Sequence, residues 1–189
     1  FLGPRSKCLN ILGKLQTRFD CTPPVDLRKA DESNPLVFLG HELWISKGKL
    51  MVSQSAYCRL VCEKLGFDST KPLKSISKDD FKLDYLIAGD PLDSKNQTKL
   101  RSLVGAISYL AHATRFDILV PVSCLAEGQA AGTENHLASA EKLMRYVVGT
   151  ADRRLELPIG SLKDGDQVSL LASFDANFSP ERARSGCMI

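Results

Sequence analysis

The residues able to do chemistry are few and scattered along the 189-residue chain. His41, His112 and His136 stand too far apart for a local metal or triad motif, and no glycine-rich phosphate cradle occurs. A lone histidine of this kind reads as structural or solvated. Asp175 is the sharper candidate, because it ends the apolar run Val168-Ser169-Leu170-Leu171-Ala172-Ser173-Phe174, and a carboxylate at the end of a strand can meet a metal. Magnesium takes one or two protein carboxylates plus phosphate oxygens, whereas two-metal nucleases need several acids, and the sequence does not visibly supply the others. No metal site is assigned, and no cofactor is expected. Cys58 and Cys62, four apart, suit one helix face and neither a zinc knuckle nor a redox pair. With Cys8, Cys21, Cys124 and Cys187 they read as reduced intracellular thiols.

The elements that must position these residues follow from periodicity. Cys8, Ile11, Leu12, Leu15 and Phe19 give an amphipathic helix over Ser6–Phe19, with Lys7, Lys14 and Arg18 on its wet side. Leu36-Val37-Phe38-Leu39 and Leu50-Met51-Val52 flank Lys47-Gly48-Lys49 and predict a β-hairpin with its tip near Gly48. Ser53 then caps a helix with an inward stripe of Tyr57, Leu60, Val61 and Leu65, stopped at Gly66. Residues 68–93, polar and Asp-rich with Pro72 and Pro91, read as a linker.

Ser94 and Gln97 form a capping-box signature ahead of Leu100, Leu103, Val104, Ile107, Leu110 and Ala111. Ile118–Ala126 is a further helix with Pro121 in its first turn. Thr133 caps a third, with Leu137, Ala140, Met144, Val147 and Val148 inward and Lys142 and Arg145 outward. From Arg154 the period becomes two, giving strands at 154–157, 168–174 and 187–189. The result is an α+β chain: a hairpin–helix unit over 1–67, a linker over 68–93, a helical connection over 94–150 and a partial mixed sheet over 151–189, open at its edge.

Composition bounds the function classes. With 43% hydrophobic and 25% charged residues the chain is an ordinary globular protein, which excludes collagen-like, coiled-coil-only and wholly disordered readings. The net charge of +3 is too small to mark a nucleic-acid binder, but it is uneven. Residues 1–30 carry six basic and two acidic side chains, residues 41–78 seven and three, and residues 79–93 five Asp and one Lys. There is neither a signal-like opening nor an apolar run near the roughly 18 residues of a membrane span, so cytoplasm or nucleus is the expected setting, with no membrane partner.

Six segments, in order, resemble copia-type retrotransposon polyproteins. They are Phe38-Leu39-Gly40-His41-Glu42-Leu43; Ser53-Gln54-Ser55-Ala56-Tyr57; Arg101 to Leu110; Thr114-Arg115-Phe116-Asp117-Ile118; His136 to Ala140 with Arg145 to Thr150; and Phe174-Asp175-Ala176-Asn177-Phe178 with Arg184-Ser185-Gly186. The resemblance implies the region downstream of the reverse transcriptase Y-x-D-D motif, from the end of the palm through thumb and connection to the opening strands of an RNase H-like domain. On that reading Phe1-Leu2-Gly3 follows the polymerase aspartates, which the chain lacks. Asp175 matches the first RNase H carboxylate of D-x-D-W, while Asn177 and Phe178 replace the second acid and the tryptophan. Phe116 replaces the proline of R-P-D.

The parent activities are those of an RNA-directed DNA polymerase and ribonuclease H. The chain alone is expected neither to extend a primer nor to cut a hybrid, with Mg²⁺ relevant only if missing segments or a partner complete the site. What remains is template–primer handling. The hairpin and following helix would lay Lys47, Lys49, Gln54, Arg59 and Lys64 along an RNA–DNA or RNA backbone, where contacts position without specifying sequence. Arg101, Arg115 and Arg145 are further phosphate candidates, although Arg115 and Asp117 equally suit a local ion pair. Tyr57 either stacks near a sugar or packs in its apolar stripe. The alternative is a domesticated element: a co-opted structural or protein-interaction subunit that buries its unfinished sheet against a partner chain or a second copy.

Overall fold

A computed structural model describes residues 5–21, 23–159, 173–177 and 184–188, the last two stretches as backbone strands only. In chain order the elements are α1 (Arg5–Gln16), β1 (Leu36–Phe38), β2 (His41–Ser46), β3 (Lys49–Ser53), α2 (Ser55–Lys64), α3 (Leu83–Ile87), α4 (Ser94–Ala113), α5 (Leu119–Ala126), α6 (Glu134–Gly149), β4 (Leu155–Pro158), β5 (Ser173–Asn177) and β6 (Arg184–Met188). This is an α+β fold. It divides into two units, one spanning Pro23–Ile159 and the other holding α1 with the antiparallel β5–β6 ribbon. The expectations for Phe1-Leu2-Gly3, residues 168–172, Phe178 and Ile189 lie outside the described residues.

The β-sheet of the Pro23–Ile159 unit runs β1-β2-β3-β4, antiparallel throughout. The hairpin tip falls at Gly48 as the turn residues predict, but its first arm is β2 rather than Leu36–Leu39. Leu39 and Gly40 form a second tight turn, with φ of 49° and 76°, matching Lys47 and Gly48 at 49° and 72°. Both are two-residue loops with two left-handed residues, the geometry whose twist suits a hairpin. An apolar residue at the first turn position hides this turn from sequence reading.

β4 is the larger surprise. It pairs with β3 through Lys49↔Pro158, Leu50↔Leu157, Met51↔Glu156 and Val52↔Leu155, so the strand expected to open a separate sheet completes the hairpin's own. Strand alternation then places Leu43, Ile45, Leu50, Val52, Leu155 and Leu157 on one face, half-buried except for the exposed Leu157, while Trp44 and Met51 are buried on the other.

The helices form the main core. All six apolar positions read on α4 are buried, from Leu100 to Ala111, against Val122 and Leu125 of α5 and Ala140, Leu143, Met144 and Val147 of α6. At about 1.5–3 kcal/mol per fully buried large aliphatic side chain, this stripe dominates the driving force of the unit. Residues 68–93 are no linker: a 3₁₀ turn at Lys78–Phe81 and α3 bury Phe81 and Leu86 in the same core. Charge density masked the two apolar anchors.

Caps also differ from expectation. Asp93, not Ser94, caps α4 by accepting from the Asn96 amide at 2.7 Å. Gln97 is thereby released to clamp the α5–α6 loop, donating to the carbonyls of Gly128 (3.0 Å) and Gln129 (2.9 Å) and accepting from the Gly132 amide (2.8 Å). Thr133 caps α6 as read, in a reciprocal box with His136. α2 is entered through Gln54, and the Glu42 carboxylate on β2 accepts from the Ala56 amide at 3.1 Å. Its inward stripe is Cys58, Val61 and Cys62, rotated from the expected one, with Leu60 exposed. Phe67 N–H returns to the Cys62 carbonyl at 2.8 Å across the left-handed Gly66, closing the helix end.

Candidate nucleic-acid interface

An arginine anchors the junction between helices and sheet. The Arg115 guanidinium, 2% exposed, donates twice to the Asp117 carboxylate at 2.9 and 3.0 Å, and to the carbonyl and hydroxyl of Thr150 at 3.1 and 2.7 Å. Tyr146 donates to Asp117 at 2.9 Å, and Arg153 donates to Asp117 at 2.9 Å and to the Tyr146 hydroxyl at 2.6 Å. Both guanidiniums lie 5.5 Å from the Tyr146 ring centre. Burial pushes the Asp117 carboxyl up, but the hydrogen bonds and charge of Arg115, with Tyr146 and Arg153, outweigh it and hold the group down at about 2. Of the two uses open to Arg115, the structure realises the ion pair.

This network borders an open cleft of about 670 Å³ lined by Arg115, Arg153 and Arg154 against Glu32, Asp117, Asp152 and Glu156. Each guanidinium is engaged: Arg154 donates to Glu32 at 2.5 Å over the Trp44 ring, and the other two hold Asp117. With three cations and four carboxylates, the cleft is neutralised from within.

The remaining predicted residues are dispersed. Lys47 and Lys64 are exposed, at the hairpin turn and the last turn of α2. Lys49 pairs with Glu156 at 2.8 Å and Arg59 with Asp152 at 3.2 Å, both on the surface, where such pairs contribute about 0–1 kcal/mol. Gln54 is 1% exposed; its Oε1 accepts from the Thr114 hydroxyl at 2.7 Å, and it faces inward rather than toward a ligand. Arg101 and Arg145 spend their Nε–H on the carbonyls of Gln129 (2.7 Å) and Lys71 (2.8 Å). Tyr57 packs edge-on against Tyr109 at 4.8 Å, the packing alternative of its two readings.

Asp175 lies on β5 opposite Gly186 of β6. Among the described residues no three His, Cys, Asp or Glu side chains converge to hold a metal ion. Burial pushes the Cys58 thiol up to about 11 and the Cys62 thiol in the same direction, consistent with core residues rather than nucleophiles. No helix among the described residues is long and apolar enough to cross a membrane.

Sequence reading missed Lys99 and took Lys142 only as an outward-facing helix residue, whereas α4 and α6 bring both beside Arg145 and the Gly66–Thr70 loop around a second pocket. It also missed Tyr146 and Arg153 of the Asp117 network. The only local signal was the Asp152-Arg153-Arg154 run, because the partners lie on other elements.

No protein-family model matches the chain, and no solved structure matches it significantly. Among curated proteins it is 29% identical over 173 residues to the retrovirus-related Pol polyprotein from transposon RE1 of Arabidopsis thaliana, covering 92% of this chain and 11% of that protein. To the corresponding polyprotein from transposon RE2 of the same plant it is 30% identical over 142 residues, or 75% of this chain and 9% of that protein. The chain spans about a tenth of the length of these relatives. It is thus similar, over most of its length, to a segment of retrotransposon Pol polyproteins.

Proposed function

We propose that the chain is a segment of a copia-type reverse transcriptase–RNase H polyprotein, from the part after the Y-x-D-D motif to the start of RNase H, and that it holds an RNA–DNA template–primer without a complete active site of its own. The observation that carries this reading is the similarity to Pol polyproteins across 92% of the chain. Lys47, Lys49, Arg59 and Lys64 stand on the surface of the hairpin and α2, where they would meet phosphates without reading bases. Ion pairing within the protein already occupies two of the four, which makes the interaction weak. Anisotropy of a labelled RNA–DNA hybrid tests this: binding at 50 mM salt that weakens steeply by 200 mM, alike for unrelated sequences, is expected. Absence of binding at 50 mM salt refutes it. Steady Mg²⁺-dependent cleavage of the hybrid, abolished by Asp175→Asn, refutes the incomplete site.

A second reading, a subunit co-opted for protein interaction, is favoured by the edge strand β1 and the turn after it, where Val37, Phe38 and Leu39 are 66%, 60% and 74% exposed. Static light scattering separates the two: a stable oligomer lost on Phe38→Lys supports this reading, and a monomer at all concentrations argues against self-association.

A further inference from the structure

A concavity of about 430 Å³ in the Pro23–Ile159 unit carries an excess of cationic side chains that the 670 Å³ cleft lacks. It lies where the end of α2 and the Gly66–Thr70 loop meet α4 and α6. Leu65, Phe67 and Ala138 contribute apolar surface, while Lys99, Lys142 and Arg145 face Glu141, a balance of 3 − 1 = +2 in the lining. The larger cleft carries 3 − 4 = −1. Arg145 is tied by its Nε–H to the Lys71 carbonyl at 2.8 Å, which fixes the guanidinium plane and leaves both terminal nitrogens without a protein acceptor among the described residues. A held fork of this kind matches two oxygens of a phosphate. Lys99 is bound to Glu141 at 2.6 Å, but both are half in solvent, so an incoming phosphate can displace the carboxylate at little cost. Lys142 is paired with Asp80 at 2.7 Å, so the excess positive charge of the pocket rests mainly on Arg145.

We propose that this pocket is a phosphate-binding site, with Arg145 as the fixed fork and Lys99 as the cation released from Glu141 when the ligand enters. The phosphate chemistry stands on the pocket; that the phosphate belongs to a nucleic-acid strand rests on the template–primer reading. The volume suits one nucleotide unit and not a long groove.

The test uses the full chain in two arms: amide NMR with inorganic phosphate and with a nucleoside monophosphate, and anisotropy with a labelled RNA–DNA hybrid. Phosphate should move the Gly66, Thr70 and Ala138 amides, and Arg145→Gln should weaken hybrid binding about five- to tenfold and flatten its salt slope by about one phosphate. Lys99→Gln serves where melting shows that the Arg145 variant is unfolded. Glu141→Gln should tighten binding about two- to threefold, a sign that a purely structural Lys99–Glu141 pair would not give. Phosphate that moves these amides while the hybrid fails to bind keeps the pocket and refutes the template–primer reading. A hybrid that binds Arg145→Gln and Lys99→Gln as well as the parent chain refutes the pocket and keeps that reading. No amide shift with either small ligand, or weaker binding by Glu141→Gln, overturns the proposal.

Discussion

The Tyr109 hydroxyl on α4 donates to the Leu39 carbonyl at 2.7 Å and so pins the turn in which Leu39 adopts a left-handed backbone. A leucine there costs about 1–2 kcal/mol relative to an unstrained residue, and the hydrogen bond returns part of it. Tyr109→Phe should lower stability by about 1 kcal/mol in urea unfolding, while Leu39→Gly should offset that loss in the double variant. Equal stability of the parent and Tyr109→Phe would show that the turn needs no tether.

Gly149 ends α6 against the backbone of Leu73: a Cβ placed there would collide with the Leu73 carbonyl oxygen. Because that neighbour is main chain, it cannot rotate aside, and Gly149→Ala should destabilise by about 1–3 kcal/mol or more. Gly13, exposed within α1 with nothing within 4 Å of its added Cβ, supplies the contrast. Gly13→Ala should be neutral or stabilising by about 0.5–1 kcal/mol, since helix propensity is then the main change. Thermal melts of the two variants check the opposite signs.

Asp117→Asn leaves Arg115 buried without its counter-charge, which should cost about 3–5 kcal/mol. The carboxyl also sets an acid limit. Its folded pKa, about 2, lies below the ordinary carboxylate value of 3.8, so its contribution is complete above that value and is lost as pH falls toward 2. After allowance for its part exposure, that contribution is roughly 2 kcal/mol. Urea midpoints between pH 5 and 2 should fall in the parent chain and fall less in Asp117→Asn.

His136 is a second group whose protonation is coupled to folding. Burial lowers its pKa from the ordinary 6.5, against a smaller opposing effect of the Leu86 carbonyl, and its Nδ1 accepts from the Thr133 amide at 3.3 Å to close the α6 cap. The folded chain therefore favours the neutral ring. Stability is complete above pH 6.5 and declines as pH falls through the lowered folded value. His136→Gln, which keeps a capping acceptor without a titrating group, should flatten the melting temperature between pH 7.5 and 5. An unchanged slope would place the proton elsewhere.

Much of the helical unit was legible because its evidence is local. Leu100 to Ala111 repeat at helical spacing, and Thr133 announces α6 three residues before its cap partner. What escaped depends on distant contacts. The acids around Phe81 and Leu86 look like a solvated spacer until the core that receives those two side chains is known. Leu36–Leu39 reads as one long strand arm because Leu39 is an apolar residue in a conformation usually given to glycine or asparagine. The tethers that hold Arg101 and Arg145 by their Nε–H escaped because main-chain acceptors leave no mark in a side-chain pattern. The pocket beside Arg145 was invisible for the same reason: Lys99 and Lys142 lie more than forty residues apart.

The pairing of β4 with β3 has a consequence for how the chain can be made and cut. During synthesis the third strand must wait for about a hundred further residues before its outer neighbour emerges, a delay that slows folding and leaves an adhesive border open meanwhile. A shortened product ending just after α6 would lack β4 and keep that border open permanently, so it should aggregate where a cut beyond Ile159 yields a tractable piece.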